Sequence, residues 1–278
     1  MERNNQCSYS RLPCSISHRT TLDLPKGSIA QLGQGAVYDL ALTPDGASLV
    51  VGSGTGLWWY ELFSQSPYAL WEMERVSTVS VSHDSRWIVT GHSDNSIKIW
   101  DIHRKVCVAW LADQDKFSAT VRPAFAPNGQ RVAFLARDFD TVYLVDPTTG
   151  IHLSSLGNGY PIRFRRGAVV KPVTFSMDSQ LVASVSLMDT EASSDFVCVW
   201  HAETGELIAS LTDYPDFVYG ISFSPCGHYL AVGGWGGTLR VWNVYTGKLE
   251  IARTDYGKYR MYPCYLPDGQ LNCRSLRS

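Results

Sequence analysis

One phrase recurs along this chain: an apolar residue, any residue, an apolar residue, a small residue, then Pro-Asp-Gly or a variant, then an apolar run. It stands at residues 40–46 (LALTPDG), 79–85 (VSVSHDS), 123–129 (PAFAPNG), 173–179 (VTFSMDS), 221–227 (ISFSPCG) and 263–269 (PCYLPDG). Measured at the fifth residue of each copy, successive spacings are 39, 44, 50, 48 and 42 residues. Repetition at such a period makes each unit a supersecondary element that buries its apolar faces only against its neighbours. The stack of units, not one central core, then decides the fold.

Each copy reads as strand, tight turn, strand. Alternating apolar residues lead in, Pro-x-Gly chemistry makes the bend, and a run such as Leu49-Val50-Val51 or Trp87-Ile88-Val89 leads out. A third strand follows a short Gly- or Asp-containing loop, as at residues 96–100 (SIKIW) and 238–242 (TLRVW). The fourth follows a Thr-Gly turn at 149–150, 204–205 and 246–247. Four strands per period make one blade of a β-propeller. The expected class is all-β: a β-propeller of four-stranded antiparallel blades, with five complete repeats and a partial sixth ending at Ser278.

The run Gly91-His92-Ser93-Asp94-Asn95-Ser96-Ile97-Lys98-Ile99-Trp100-Asp101 closely resembles the third-strand ending of the WD-repeat (WD40) family, and the resemblance extends from about residue 29 to the C-terminus. The other endings are degenerate: Tyr60-Glu61, Val145-Asp146, Trp200-His201 and Trp242-Asn243 replace Trp-Asp. The Gly-His pair that opens a family repeat is missing; Asp213-Tyr214 takes its place in the fifth. That departure bears on the family's internal His-Asp network and not on the architecture. Residues 1–28 read as a loosely ordered extension and 29–278 as the propeller. Either residues 20–24 supply a strand to the unfinished last blade, or the chain is part of a longer protein.

Bulk properties narrow the function classes. A formal net charge of −2 gives no global attraction to nucleic acid or anionic membranes. No apolar stretch approaches the roughly 18 residues needed to span a bilayer. Seven scattered cysteines without a CxxC pair read as thiols in a reducing compartment, hence a cytoplasmic protein. No HExxH, GxSxG or P-loop pattern occurs. The glycine-rich run at 52–56 leads into a strand and not a helix, so it is a turn and not a phosphate cradle.

By the family's topology, the loops between second and third strands and those between blades share the top face. There the segment 157–171 carries Arg163, Arg165, Arg166 and Lys171, with Tyr160 and Phe164 interleaved and no acid between Asp146 and Asp178. Such a loop suits an acidic peptide, a phosphate or a nucleic-acid backbone; the plainer reading is a solvated loop paired with neighbouring acids. Arg137 lies in another top loop, 136–141. Asp189, Glu191 and Asp195 in the loop 186–196 lack calcium-loop spacing and read as solvated. Trp235, in a run of four glycines, is either an interface anchor or a lid folded over the blade edge. Trp58, Trp87, Trp100, Trp200 and Trp242 fall within strands and read as core.

The function expected is a non-catalytic scaffold binding a protein or peptide partner through top-face loops, with no cofactor, no metal and no membrane partner. It would be a monomer if the ring closes. The alternatives are a propeller enzyme with ligands converging on the channel, or a nucleic-acid or phosphopeptide binder using the Arg163–Lys171 segment.

Overall fold

The computed structural model describes residues 36–63, 68–72, 74–112, 122–136, 141–157, 172–187, 195–212, 217–254 and 259–277. They form five four-stranded antiparallel sheets and one two-stranded sheet. Blade 1 is β1 (Val37–Leu42), β2 (Ser48–Ser53), β3 (Gly56–Glu61) and β4 (Tyr68–Glu72). Blade 2 is β5 (Val76–Val81), β6 (Trp87–His92), β7 (Ile97–Asp101) and β8 (Val106–Leu111). Blade 3 is β9 (Ala124–Phe125), β10 (Val132–Leu135), β11 (Val142–Val145) and β12 (His152–Leu156). Blade 4 is β13 (Val173–Phe175), β14 (Leu181–Leu187), β15 (Asp195–His201) and β16 (Leu207–Leu211). Blade 5 is β17 (Val218–Phe223), β18 (Tyr229–Gly234), β19 (Leu239–Asn243) and β20 (Leu249–Arg253), and the last sheet pairs β21 (Tyr259–Tyr265) with β22 (Leu271–Arg277). This is the expected propeller. The strands β9 and β13 are short because Pro123 and Pro172 stand at their starts and cannot donate to a ladder.

The recurring phrase is the hairpin between the first and second strands. Its last residue has a positive φ in all six copies: Gly46, Ser85, Gly129, Ser179, Gly227 and Gly269, at 55° to 84°. Its small residue is a hydroxyl with a task. Thr43, Ser82, Ser176 and Ser224 each accept the N–H of the residue five positions on, at 2.8–3.0 Å, which closes the bend. The first three also bond the turn aspartate two residues on, Asp45, Asp84 or Asp178.

Successive first strands pack side by side around a central channel, β1 on β5 through to β17 on β21. Between blades the sheets bury apolar faces: blades 3 and 4 share Leu135, Leu144, Phe175 and Trp200, and blades 4 and 5 share Val185, Val199, Ile221 and Trp242. Trp58, Trp87, Trp100, Trp200 and Trp242, the tryptophans expected in the core, are all buried. Blade 2 also holds a polar network. The Thr90 hydroxyl accepts the Trp100 indole N–H at 3.0 Å and lies 2.9 Å from His92 Nε2, while the buried Lys98 ammonium meets Glu74 at 2.8 Å.

The ring's first blade keeps apolar side chains in solvent on the face turned from blade 2. Leu40 and Leu42 are 51% and 54% exposed. At the other end, β22 has β21 as its one strand neighbour among the described residues.

Candidate functional site

The inner strands shape the mouth of the channel. In β1, β5 and β17 the pairing register slips between Val37 and Asp39, Val76 and Thr78, and Val218 and Gly220. A bulge of this kind re-aims a side chain, and in blades 1 and 5 the residue at the slip is a tyrosine, Tyr38 or Tyr219. The next sheet lays an arginine over each. Arg75 Cζ sits 4.3 Å from the Tyr38 ring centroid, and Arg260 Cζ sits 5.0 Å from that of Tyr219.

Around Tyr219 further aromatics gather. Trp235 opens a 3-10 turn, Trp235–Gly237, joining β18 to β19; Gly236 and Gly237 take φ near 70°, which makes the turn this tight. The Trp235 N–H donates to the Phe217 carbonyl at 2.9 Å. Its ring lies 6.3 Å from Tyr219 and 5.9 Å from the Arg260 guanidinium, while Tyr262 lies 6.1 Å from Tyr219. Trp235 is half-buried, so it packs on the cluster and still presents surface.

Missing side chains bring Arg260 here. Gly220 and Gly233 are cross-strand partners in blade 5. A Cβ at Gly233 would stand 2.5 Å from both the Met261 carbonyl oxygen and Pro263 Cδ, and one at Gly220 would stand 3.0 Å from Pro263 Cδ. The last sheet therefore rests directly on blade 5 backbone, pinned by a 3.0 Å bond from the Tyr265 N–H to the Ser222 hydroxyl.

The cluster borders a cavity of about 640 Å³ that runs along the inner strands of blades 2 to 5 and the last sheet. Arg122, Pro172, Tyr219, Arg260 and Tyr262 line it toward the strand starts, with Ser80, Ser222 and Tyr265 further in. Burial, then the neighbouring Cys226, Tyr229 and Cys273, pushes the Tyr265 phenol above its ordinary pKa, so it stays a hydrogen-bond donor. The two lining arginines differ in pairing. Asp39 accepts from Arg122 through Nε at 3.0 Å and through Nη2, and also from the N–H groups of Val79 and Leu40 at 2.9 Å. Arg260 has no carboxylate partner among the described residues, and its Nε is shut from solvent without an acceptor.

Of the residues singled out in the sequence, Trp235 stands in this cluster. Arg137, Tyr160, Arg163, Phe164, Arg165, Arg166 and Lys171 lie outside the described residues, as do Asp189, Glu191 and residues 1–28. Lys171 is bonded to Pro172, a lining residue. Tyr219, Arg260 and Tyr262 were missed because they are spread over two strands, β17 and β21, and no local pattern marks them. Alignment on the phrase carries the signal: three positions before it stand Val37, Val76, Val170 and Val218 in four copies, and Arg260 in the last.

A family model described as "WD domain, G-beta repeat" matches residues 72–101 and 205–243. Each stretch takes in part or all of the outer strand of one blade and the three inner strands of the next. The chain is 24% identical over 205 residues to Periodic tryptophan protein 2 of Arabidopsis thaliana, covering 70% of this chain and 20% of that protein. It is 25% identical over 230 residues to Protein hir1 of Schizosaccharomyces pombe, covering 70% and 23%. With the Serine-threonine kinase receptor-associated protein of Mus musculus the identity is 22% over 263 residues, covering 84% and 72%. The chain thus spans about a quarter or less of the first two relatives' length. Among solved structures, Kuenenia stuttgartiensis Hydrazine Synthase superposes with a TM-score of 0.66 at 14% identity, over 90% of this chain and 76% of that one, a likeness of fold alone.

Proposed function

We propose that this chain, a WD-repeat β-propeller with degenerate repeats, is a non-catalytic platform that binds a protein partner at the top mouth of its channel. The observation that carries the reading is the cluster of Tyr219, Trp235, Arg260 and Tyr262. Aromatic and arginine side chains are the residue types that dominate binding energy at interfaces, because they bury large rigid surfaces at low entropic cost. Here they stand on strand ends and a tight turn beside a cavity, so little ordering is left to be paid on binding. The basic segment 163–171 enters the same proposal, since it leads into Pro172. Placement in the cytoplasm is also part of it, supported by Cys226, Cys264 and Cys273, which stand as thiols outside any disulfide among the described residues.

Hydrogen–deuterium exchange on the chain with and without a bound partner tests the reading. Protection is expected at the strand starts and at residues 233–238. Protection at the opposite hairpins, such as 44–46 and 225–227, would overturn it.

For the open sheet we propose that residues 20–24 add a strand to β22. That β22 has one strand neighbour among the described residues, and that Leu40 and Leu42 are exposed, support this. Removing residues 1–28 is expected to lower the unfolding midpoint by about 5 °C or more; an unchanged midpoint would contradict it.

A further inference from the structure

The geometry points to Arg260 as the receptor for one oxyanion, a carboxylate or a phosphate, carried by an extended peptide that enters the channel mouth. This rests on the binding reading above and adds the chemistry of the ligand. Arginine carries five N–H donors in a planar fork that matches a carboxylate or phosphate in two parallel bonds. At Arg260 the fork is oriented in advance, its guanidinium carbon 5.0 Å from the Tyr219 centroid and 5.9 Å from that of Trp235. No protein carboxylate neutralises it among the described residues, and its Nε–H has no acceptor. A charge in that state is costly to keep, and a bound oxyanion meeting the terminal N–H groups of the fork is the group that relieves it.

The equivalent acid is missing for a visible reason. One position before the phrase, blade 1 has Asp39 and blade 5 has Gly220. Asp39 bonds the neighbouring blade's Val79 N–H and takes Arg122 as its partner. Gly220 offers nothing to Arg260, and the space an acid would fill is occupied by Tyr262 Cα and Pro263 Cδ. No acid among the described residues takes that place, which leaves it open to an anion from outside. The described lining also bears on its number: Arg122 is already paired, so the two lining arginines leave one charge open. A nucleic-acid backbone would need a track of unpaired cations, whereas one open arginine beside a 640 Å³ cavity with hydroxyl walls suits a single side chain of a peptide.

Degenerate peptide libraries with one fixed position, either Glu, phosphoserine or Gln, passed over the immobilised full chain test this. A single-stranded oligonucleotide serves as the further probe. The Glu or the phosphoserine library is expected to be retained about tenfold over Gln, and which of the two leads identifies the oxyanion. The preference should fall to about twofold or less in Arg260→Gln and survive in Arg75→Gln. Since the preference is read first on the unaltered chain, misfolding of a variant cannot mimic the result. Equal retention of the Gln library with loss in Trp235→Ala would overturn the oxyanion while leaving the platform reading intact. Retention of the oligonucleotide alone, falling steeply with salt, would overturn the peptide ligand. Retention of none of the probes would overturn both readings.

Discussion

The seam between blades 1 and 2 and the seam between blade 5 and the last sheet are built on the same plan and end in different chemistry. Each uses a glycine on the second strand, Gly52 or Gly233, to let the next sheet approach. Each has a tyrosine at the bulge and an arginine of the next sheet above it. In the first seam Tyr38 and Arg75 are exposed, and Asp39 links blades 1, 2 and 3 through Val79 and Arg122. In the second, Tyr219 is buried and Arg260 is half-buried between it and Trp235, with Gly220 in place of the acid. A pair left in solvent beside a satisfied acid serves packing. The same pair, covered and without a carboxylate partner among the described residues, is the one proposed above as the binding site.

The two glycines give the largest expected effects. Gly233→Ala places its Cβ against a carbonyl oxygen and a proline ring, which move only with the backbone of β21, so a loss of about 3 kcal/mol is expected. Gly52→Ala meets the methyl groups of Val76 and Val79 at 2.8 Å and the Val76 carbonyl oxygen at 3.2 Å, less severe than the 2.5 Å contacts at Gly233, and about 1–2 kcal/mol is expected. Urea unfolding measures both, and the reverse order would break the parallel. Next comes Asp39→Asn, which weakens a charge-assisted link across three blades and is expected to cost about 2 kcal/mol by the same assay.

The arginines should then separate stability from binding. Arg75→Gln and Arg260→Gln are each expected to shift stability by no more than about 1 kcal/mol, while only Arg260→Gln alters peptide retention. The smallest effect is a difference in reactivity at the edge of the second seam. Hydrogen bonding from Ser224 and the His228 backbone holds the exposed Cys226 thiol below its ordinary pKa, whereas burial raises that of Cys273. More thiolate at a given pH means faster alkylation, so iodoacetamide with mass spectrometry should label Cys226 before Cys273.

Much of this fold was legible in the residues, because hairpin chemistry is local. Thr43, Ser82, Ser176 and Ser224 sit where a hydroxyl must close the bend, and Gly or Ser follows where φ must be positive. The site was less legible because it is assembled across sheets. Residues 163–171 stand out as adjacent charges, yet the cluster that the structure displays joins Tyr219, Trp235 and Arg260, which no local window contains together. Trp235 was visible because a large ring among four glycines breaks a local rule. Arg260 breaks a rule only when the six copies are laid over one another.

The most direct test of the central claim measures binding and folding of Trp235→Ala side by side, using a peptide selected on the unaltered chain. The account predicts that affinity falls about tenfold or more, the scale of an interface anchor, while the urea midpoint changes little. Unchanged affinity, or a loss of affinity matched by a collapse in stability, would contradict it and return the aromatic cluster to the role of packing.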